Sequence, residues 1–236
     1  MGVTPSVPWI EQTTGLVAAV REVGAGPLAL DTEADSYHRY HDKVCLVQLS
    51  FGGRDVLVDP LAGVDLAVLS EVLENRRIPK ILHGADYDLR ILGRDFGLSF
   101  RGVFDTMIAA RLVGERAFGL ASLVERHLGV RLDKTHQLAD WSQRPLPDEL
   151  VLYAVSDTRF LPPLAERLEA RLEELGRVSW AAEEFRHLEK VRWSGEPPDG
   201  EAFRRIKRSA SLDRRGLAIV RELYHWRDGR ARARDV

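Results

Sequence analysis

The stretch LALDTEAD, Leu28 to Asp35, begins as an apolar strand and ends in acid. Side chains two residues apart leave a strand on the same face. A strand that runs through Glu33 therefore sets Asp31 and Glu33 side by side. At an effective dielectric near 20, two carboxylates about 4 Å apart repel by roughly 4 kcal/mol. Either a cation sits between them, or the strand stops earlier and the acids splay into water as an ordinary acidic loop.

Outward from this stretch, apolar runs with strand character alternate with helical patterns as far as about residue 110. PLALDTEA is followed by VCLVQLSF, then by DVLVDP. In VCLVQLSF, Val44, Leu46 and Gln48 share one face and Cys45, Val47 and Leu49 the other. Asp65–Ile78 has helical spacing at Leu66, Leu69, Val72 and Leu73. KILHG reads as a short strand, DYDLRILGRDFG as a helix ending near Gly97, and GVFDT as another short strand. The alternation predicts an α/β fold with a mixed sheet and helices packed on it. From Thr106 the pattern is helical, with a long segment from Pro147 to about Gly176. Pro162 and Pro163 predict a kink or restart inside it. SGEPPDG, Ser194 to Gly200, reads as a linker. Beyond it Leu217, Val220, Leu223 and Tyr224 mark an amphipathic helix whose expected cap is Ser211. The expected organisation is one domain over residues 1–195, with a linker and basic helical tail over 196–236.

Composition is that of a globular chain: 236 residues, 44% hydrophobic and 30% charged. A single cysteine, Cys45, excludes an internal disulfide and suits a reducing compartment. There is no apolar run long enough to cross a bilayer and no apolar signal core near the N-terminus, so the expectation is a cytoplasmic protein without a membrane partner. The net charge of −2 conceals an asymmetry, because Phe203–Val236 holds 11 Lys and Arg against 4 acids. A basic tail on an acidic body suggests a polyanionic partner; a solvated, salt-bridged helix is the alternative.

Two further places set acid beside apolar structure. In HGADYDLRIL, Asp86 and Asp88 open a helix directly after a strand; capping accounts comfortably for one acid and less well for two. Asp86 suits the N-cap, which leaves Asp88 inside the first turn beside Leu89 and Leu92. In LYAVSDTRF, Tyr153 and Asp157 lie four apart and share a helix face. A carboxylate in so apolar a helix needs a partner, with Arg159 the nearest cation in sequence. Three or four clustered carboxylates stay ionised only if cations neutralise them. Oxygen ligands without cysteine or clustered histidine select Mg²⁺ or Mn²⁺ over zinc. Two such ions about 3.5–4 Å apart serve phosphodiester cleavage.

On three motifs the chain resembles ribonuclease D, in the tyrosine-containing branch of the DEDD superfamily of 3′-to-5′ exonucleases. They are Asp31-Thr32-Glu33, Lys80-x-x-His83 with Asp88 five residues on, and Tyr153-x-x-x-Asp157. The segments HRYHDKVCLVQLS, FDTMIAARLVG, GLASLVERHLGV and LDKTHQLADWSQRPL follow in the family's order. The likeness runs from about Pro27 to Leu175 and more weakly through the tail, where only the first helix of a helical accessory region is present.

The resemblance implies a ribonuclease H-like mixed sheet flanked by helices and a two-metal 3′-to-5′ exonuclease using Mg²⁺ or Mn²⁺. Asp31 would bridge both ions, Glu33 and Asp157 would complete the first site, and Asp88 would hold the second. Tyr153 would orient the attacking water. The backbone around Thr32 would approach the terminal nucleotide, and Asp35 would remain a surface acid. Gln48 is a candidate for contact with sugar or base, or else a polar residue near a strand end. His83 is either a substrate contact or a hydrogen-bonded structural histidine. Asp105 reads as a capping acid. Lys134, Trp141 and Arg144 would border the site and bind phosphate or stack a base, against a buried tryptophan with two solvated charges. The implied partner is single-stranded RNA with a free 3′ end, cut to nucleoside 5′-monophosphates. Single-stranded DNA, very short oligoribonucleotides and a non-catalytic nucleic-acid-binding module are the alternatives; oligomeric state is open.

Overall fold

All eight residues of Val44–Phe51 are buried, so this strand is covered on both faces as well as on both edges. The computed structural model of the protein describes residues 7–133, 135–195 and 199–236. In chain order the strands are β1 (Trp9–Ile10), β2 (Leu28–Ala34), β3 (Val44–Phe51), β4 (Arg54–Val58), β5 (Lys80–Leu82) and β6 (Val103–Asp105). They form one mixed sheet in the order β1-β4-β3-β2-β5-β6. β2, β3 and β4 are antiparallel neighbours, while β1 joins β4, and β5 joins both β2 and β6, in parallel.

The helices are α1 (Thr13–Val23), α2 (Ser70–Leu73), α3 (Asp86–Phe96), α4 (Thr106–Val113), α5 (Leu120–Leu128), α6 (Asp148–Arg159), α7 (Leu161–Glu174), α8 (Val178–Leu188) and α9 (Arg214–Arg234). Leu28, Leu30, Val47 and Leu49 point to one face of the sheet, into a core with Leu16 and Val20 of α1 and Leu89 and Leu92 of α3. The residues between them turn to the other face, where Leu46 and Leu57 meet Leu150 and Ala154 of α6. Period-two alternation in β2 and β3 thus decides which helix each side chain meets.

The prolines do separate two helices. α6 ends at Arg159, Phe160 intervenes, and Pro162 and Pro163 fall in the first turn of α7, where a missing N–H leaves no partner unsatisfied. The helix expected over Asp65–Ile78 shrinks to a 3₁₀ turn, Leu66–Leu69, and the single turn of α2. The buried Lys80 ammonium donates to the carbonyls of Val72 (3.2 Å) and Asn75 (2.6 Å), which a continuing helix would use itself. The N-cap of α9 is Asp213, accepting from Gly216 N at 2.7 Å, in place of Ser211, which lies in a preceding 3₁₀ turn.

The chain divides into two units. One holds the residues up to Asp35 and Lys43–Arg192, with the whole sheet; the other holds Ser36–Asp42 and the residues from Trp193 on. In the second unit Tyr40 Oη donates to Asp228 (2.9 Å) and accepts from Arg232 (3.0 Å). No residue of α9 is buried.

The β6 edge depends on one carboxylate. Buried Glu189 accepts from the backbone N–H of Gly102 (2.6 Å) and Val103 (3.3 Å), and pairs with Arg76 at 3.2 Å. Gly102 sits at φ +68°, and a Cβ there would lie 2.9 Å from the Arg76 carbonyl. Replacing Glu189 with Ala orphans two backbone donors, a loss of about 2–4 kcal/mol. Calorimetry should show a melting temperature lower by roughly 5–10 °C, with Glu189→Gln, which keeps an acceptor, losing about half as much.

Candidate active site

β2 remains a strand through both acids: Asp31 pairs in register with Gln48 and Glu33 with Leu46, before a bulge between Glu33 and Ala34. Asp31 and Glu33 therefore do stand side by side, on the face that α6 covers. α6 sets Asp157 opposite them. Each of the three offers a carboxylate oxygen, and these oxygens all lie within 4.8 Å of one another. No partner from Arg159 reaches Asp157, since Arg159 pairs with Asp55 at 2.6 Å.

Asp88 belongs to the surroundings of this trio without joining it. It is buried in the first turn of α3, and its Oδ1 accepts a hydrogen bond from the Thr32 hydroxyl on the opposite face of β2. Asp86 does not cap α3. Ala85 is the N-cap residue, and Asp86 pairs with Arg90 on the exposed surface at 2.7 Å. Asp105 does cap, accepting from Met107 N (2.8 Å) and Ile108 N (2.9 Å), and it also takes Ala85 N at 2.8 Å.

Charge crowding shows in the ionisation of these groups. Burial, then the charges of Asp88, Asp157 and Glu33, push Asp31 well above the usual carboxylate range. Burial, with Asp157 and Asp88 nearby, raises Glu33 to about 9. Burial alone raises Asp157 to about 7, and burial opposed by the Thr32 hydrogen bond raises Asp88 to about 6. Tyr153, one turn before Asp157, is pushed up by burial and by the same acids, and is hydrogen-bonded to Gln137.

The trio opens into a cavity of about 510 Å³ whose walls include Thr32, His83, Met107, Leu120, Gln137 and Tyr153. Met107, Leu120 and Gln137 carry no motif and were not expected; Gln137 was legible only as a polar neighbour within LDKTHQLADWSQRPL. Gln48 is completely buried beside Asp31 in the sheet, and neither of its amide atoms has a hydrogen-bond partner among the described residues. Trp141 is buried and packs its ring on Tyr153 with centroids 5.9 Å apart; His136 meets the same ring at 5.7 Å. Arg144 lies elsewhere, on a cleft beside Trp9. Its guanidinium is fully engaged, pairing with both oxygens of buried Asp59 (2.6 and 2.7 Å) and donating to the carbonyls of Cys45, Trp141 and Gln143. Lys134 lies outside the described residues. Asp35 is not a surface acid: it is fully buried and accepts from Lys43 N at 2.9 Å.

The profile of a family described as 3′-5′ exonuclease matches residues 7–173. The chain belongs to this 3′-5′ exonuclease family. It is 37% identical to Ribonuclease D of Acidiphilium cryptum, over 97% of this chain and 59% of that protein. It is 34% identical to the exosome complex exonuclease RRP6 of Saccharomyces cerevisiae, over 98% of this chain and 34% of that protein. The crystal structure of the catalytic core of RRP6 from Trypanosoma brucei superposes with a TM-score of 0.86 at 31% identity, covering 100% of this chain and 67% of that one. The chain thus spans about a third of one of these curated relatives and less than two thirds of the other. No helix among the described residues is long and apolar enough to cross a membrane.

For a member of the exonuclease family these raised carboxyls make a testable link to stability. A carboxyl whose folded pKa exceeds its unfolded value binds protons that the unfolded chain has released. Its contribution is fully present below about pH 4 and is lost as pH rises through the folded values of about 6 for Asp88, 7 for Asp157 and 9 for Glu33. In chelator, the melting temperature should fall as pH rises from about 5 to about 9, and Asp31→Asn should flatten that fall. A melting temperature that rises across this window contradicts the assignment.

Proposed function

We propose that this chain is the catalytic part of a metal-dependent 3′-to-5′ exoribonuclease that removes nucleoside 5′-monophosphates from the 3′ ends of single-stranded RNA, in RNA processing or turnover. The observation that carries the reading is the convergence of Asp31, Glu33 and Asp157 within 4.8 Å at the edge of an open cavity. A purely structural cluster gains nothing from three mutually repelling acids. The donor set fits hard divalent cations, Mg²⁺ or Mn²⁺, because it is all oxygen. Two such ions, when bound, would supply Lewis acidity toward both the attacking water and the leaving oxygen.

The residues divide the remaining work. Asp31, central among the acids, would serve both ions, with Glu33 and Asp157 completing the first position and Asp88 the second. Burial keeps protons on Asp31 and Glu33 near neutrality, and these carboxyls would give them up on taking the role of ligands. Tyr153, held by Trp141, His136 and Gln137, would present its hydroxyl to the water one helical turn from Asp157. The basic α9, with seven arginines against two acids, would add non-specific attraction for the RNA strand. The setting would be the cytoplasm.

Incubating 5′-labelled single-stranded RNA and DNA with Mg²⁺ or Mn²⁺ and resolving the products on a gel tests the whole reading. Shortening from the 3′ end, abolished by chelator and by Asp31→Asn or Asp157→Asn, is the expected result. Rapid cleavage of a circular RNA would reveal an endonuclease instead.

The helix α3 offers a sharper comparison. Asp88→Asn removes a buried charge beside the trio and should lower turnover by orders of magnitude. Asp86→Asn loses only an exposed i,i+4 pair with Arg90, worth a few tenths of a kcal/mol, and should keep most activity. The reverse ranking in steady-state kinetics would refute the assignment of Asp88.

A further inference from the structure

His83 stands on the cavity wall with one ring nitrogen committed and the other free. Its Nδ1 lies 2.9 Å from Thr106 Oγ1, and that hydroxyl donates its one proton to the Leu82 carbonyl, also at 2.9 Å. Thr106 can therefore meet the imidazole only as an acceptor, so Nδ1 must carry the ring proton. The opposite tautomer would set two lone pairs against each other at hydrogen-bond distance. The other nitrogen, Nε2, then presents a lone pair; it is buried and has no hydrogen-bond partner among the described residues. Burial, followed by nearby Arg111 and against the charge of Asp105, holds the imidazole below its ordinary pKa, which keeps it neutral near pH 7.

The ring borders the same cavity as Asp31, Glu33 and Asp157. A buried acceptor without a donor is costly, and a bound molecule supplying an O–H or N–H would satisfy it. Within a nucleic acid, phosphate oxygens only accept. The bases donate at positions that vary from one base to the next. The sugar hydroxyls of a 3′-terminal nucleotide donate whatever the base, which suits an enzyme that must accept every base in turn.

We propose that Nε2 of His83 recognises the 3′-terminal sugar, accepting a hydrogen bond from one of its hydroxyls. The 2′ and 3′ hydroxyls share this chemistry. Recognition of the 2′ hydroxyl makes His83 a determinant of RNA over DNA, whereas recognition of the 3′ hydroxyl makes it a sensor of an unblocked end. The inference rests on the nuclease reading of the same cavity.

The test measures binding rather than turnover. Adenosine 5′-monophosphate and its 2′-deoxy and 3′-deoxy analogues are titrated calorimetrically into the full chain in Mg²⁺. The wild type should bind one deoxy analogue on the order of tenfold more weakly, as expected for one hydrogen bond, and the identity of that analogue names the hydroxyl. His83→Asn retains an amide N–H near the position of Nδ1, and with it the bond to Thr106, but has nothing at the position of Nε2. In that variant the preference should collapse toward unity. His83→Gln, whose amide oxygen reaches the position of Nε2, should restore part of it. Equal binding of all three nucleotides by the wild type, or an unchanged preference in His83→Asn, overturns the proposal and leaves the nuclease reading intact. Failure of all three to bind overturns both. As an independent readout, nitrogen-15 spectra of the wild type should show the proton of His83 on Nδ1; a proton on Nε2 refutes the inference.

Discussion

Three carboxylates, Asp31, Glu33 and Asp157, are forced within 4.8 Å of one another at the end of β2, with Asp88 nearby, and much of the first unit can be understood as what keeps them from moving apart. Asp31 and Glu33 cannot retreat, because β2 pairs with β3 through both of them and with β5 just before, at Leu28 and Ala29. Asp157 is held by the two residues that follow it in α6. Its neighbour Thr158 bonds Ser50 of β3 at 2.7 Å, and Arg159 bonds Asp55 of β4 at 2.7 Å. Ser50 also bonds Asp55 at 2.6 Å, so the β3–β4 hairpin and the end of α6 form one polar cluster. Asp88 is fixed by the Thr32 hydroxyl. None of these restraints places a cation against the acids themselves. The repulsion is contained mechanically and by proton uptake, which leaves the charge sites open to something from outside.

The two faces of β2 divide the task. Odd positions, Asp31 and Glu33, point toward α6 and the cavity, while Leu28, Leu30 and Thr32 point toward α1 and α3. The strand that carries the acids is therefore also the strand that anchors the core, and Thr32 lets its second face hold Asp88. Complete burial of Gln48 beside Asp31 extends this logic one strand further, since the sheet beneath the acids is polar where it could have been aliphatic. A shift of register by one residue would invert the arrangement and send the acids into the apolar core.

Features governed by local spacing were legible in the sequence. The alternation of β2, the four-residue separation of Tyr153 and Asp157, and the proline break between α6 and α7 each follow from the period of one element. Features settled by distant partners were not. Asp35 looks like a loop acid, yet the turn of the chain to Lys43 buries it. Asp86 looks like a cap, but the chain enters α3 one residue earlier and leaves it to Arg90. Arg144 has the chemistry of a phosphate ligand, and only the fold shows that Asp59, 85 residues away, already occupies it. The α2 region reads as a full helix until Lys80 takes its carbonyls. α1 and α8 passed unremarked, since neither carries a motif. His83 was singled out for its place in a motif, but the direction of its proton depends on Thr106 and Leu82 together, which no sequence pattern states.

The commitment of Arg144 has an electrostatic consequence for the cavity. Among its described lining residues there is neither lysine nor arginine; the charged groups are Asp31, Glu33, Asp133 and Asp157. A phosphodiester approaching such a wall would meet like charge from ionised carboxylates, or only neutral O–H donors from protonated ones. Partial protonation lowers the repulsion but offers only neutral donors, and it removes the very ligands that a cation requires. In the proposed nuclease, the positive charge that holds a phosphate next to Asp31 would come from divalent ions. Counted as charges, the three ionised carboxylates of the trio carry −3; one bound divalent ion would leave −1, and a second would turn the sum to +1. On that reading metal would govern affinity as well as chemistry: without it the acids would repel a substrate end, and with it the same acids would become the framework that holds the end in place.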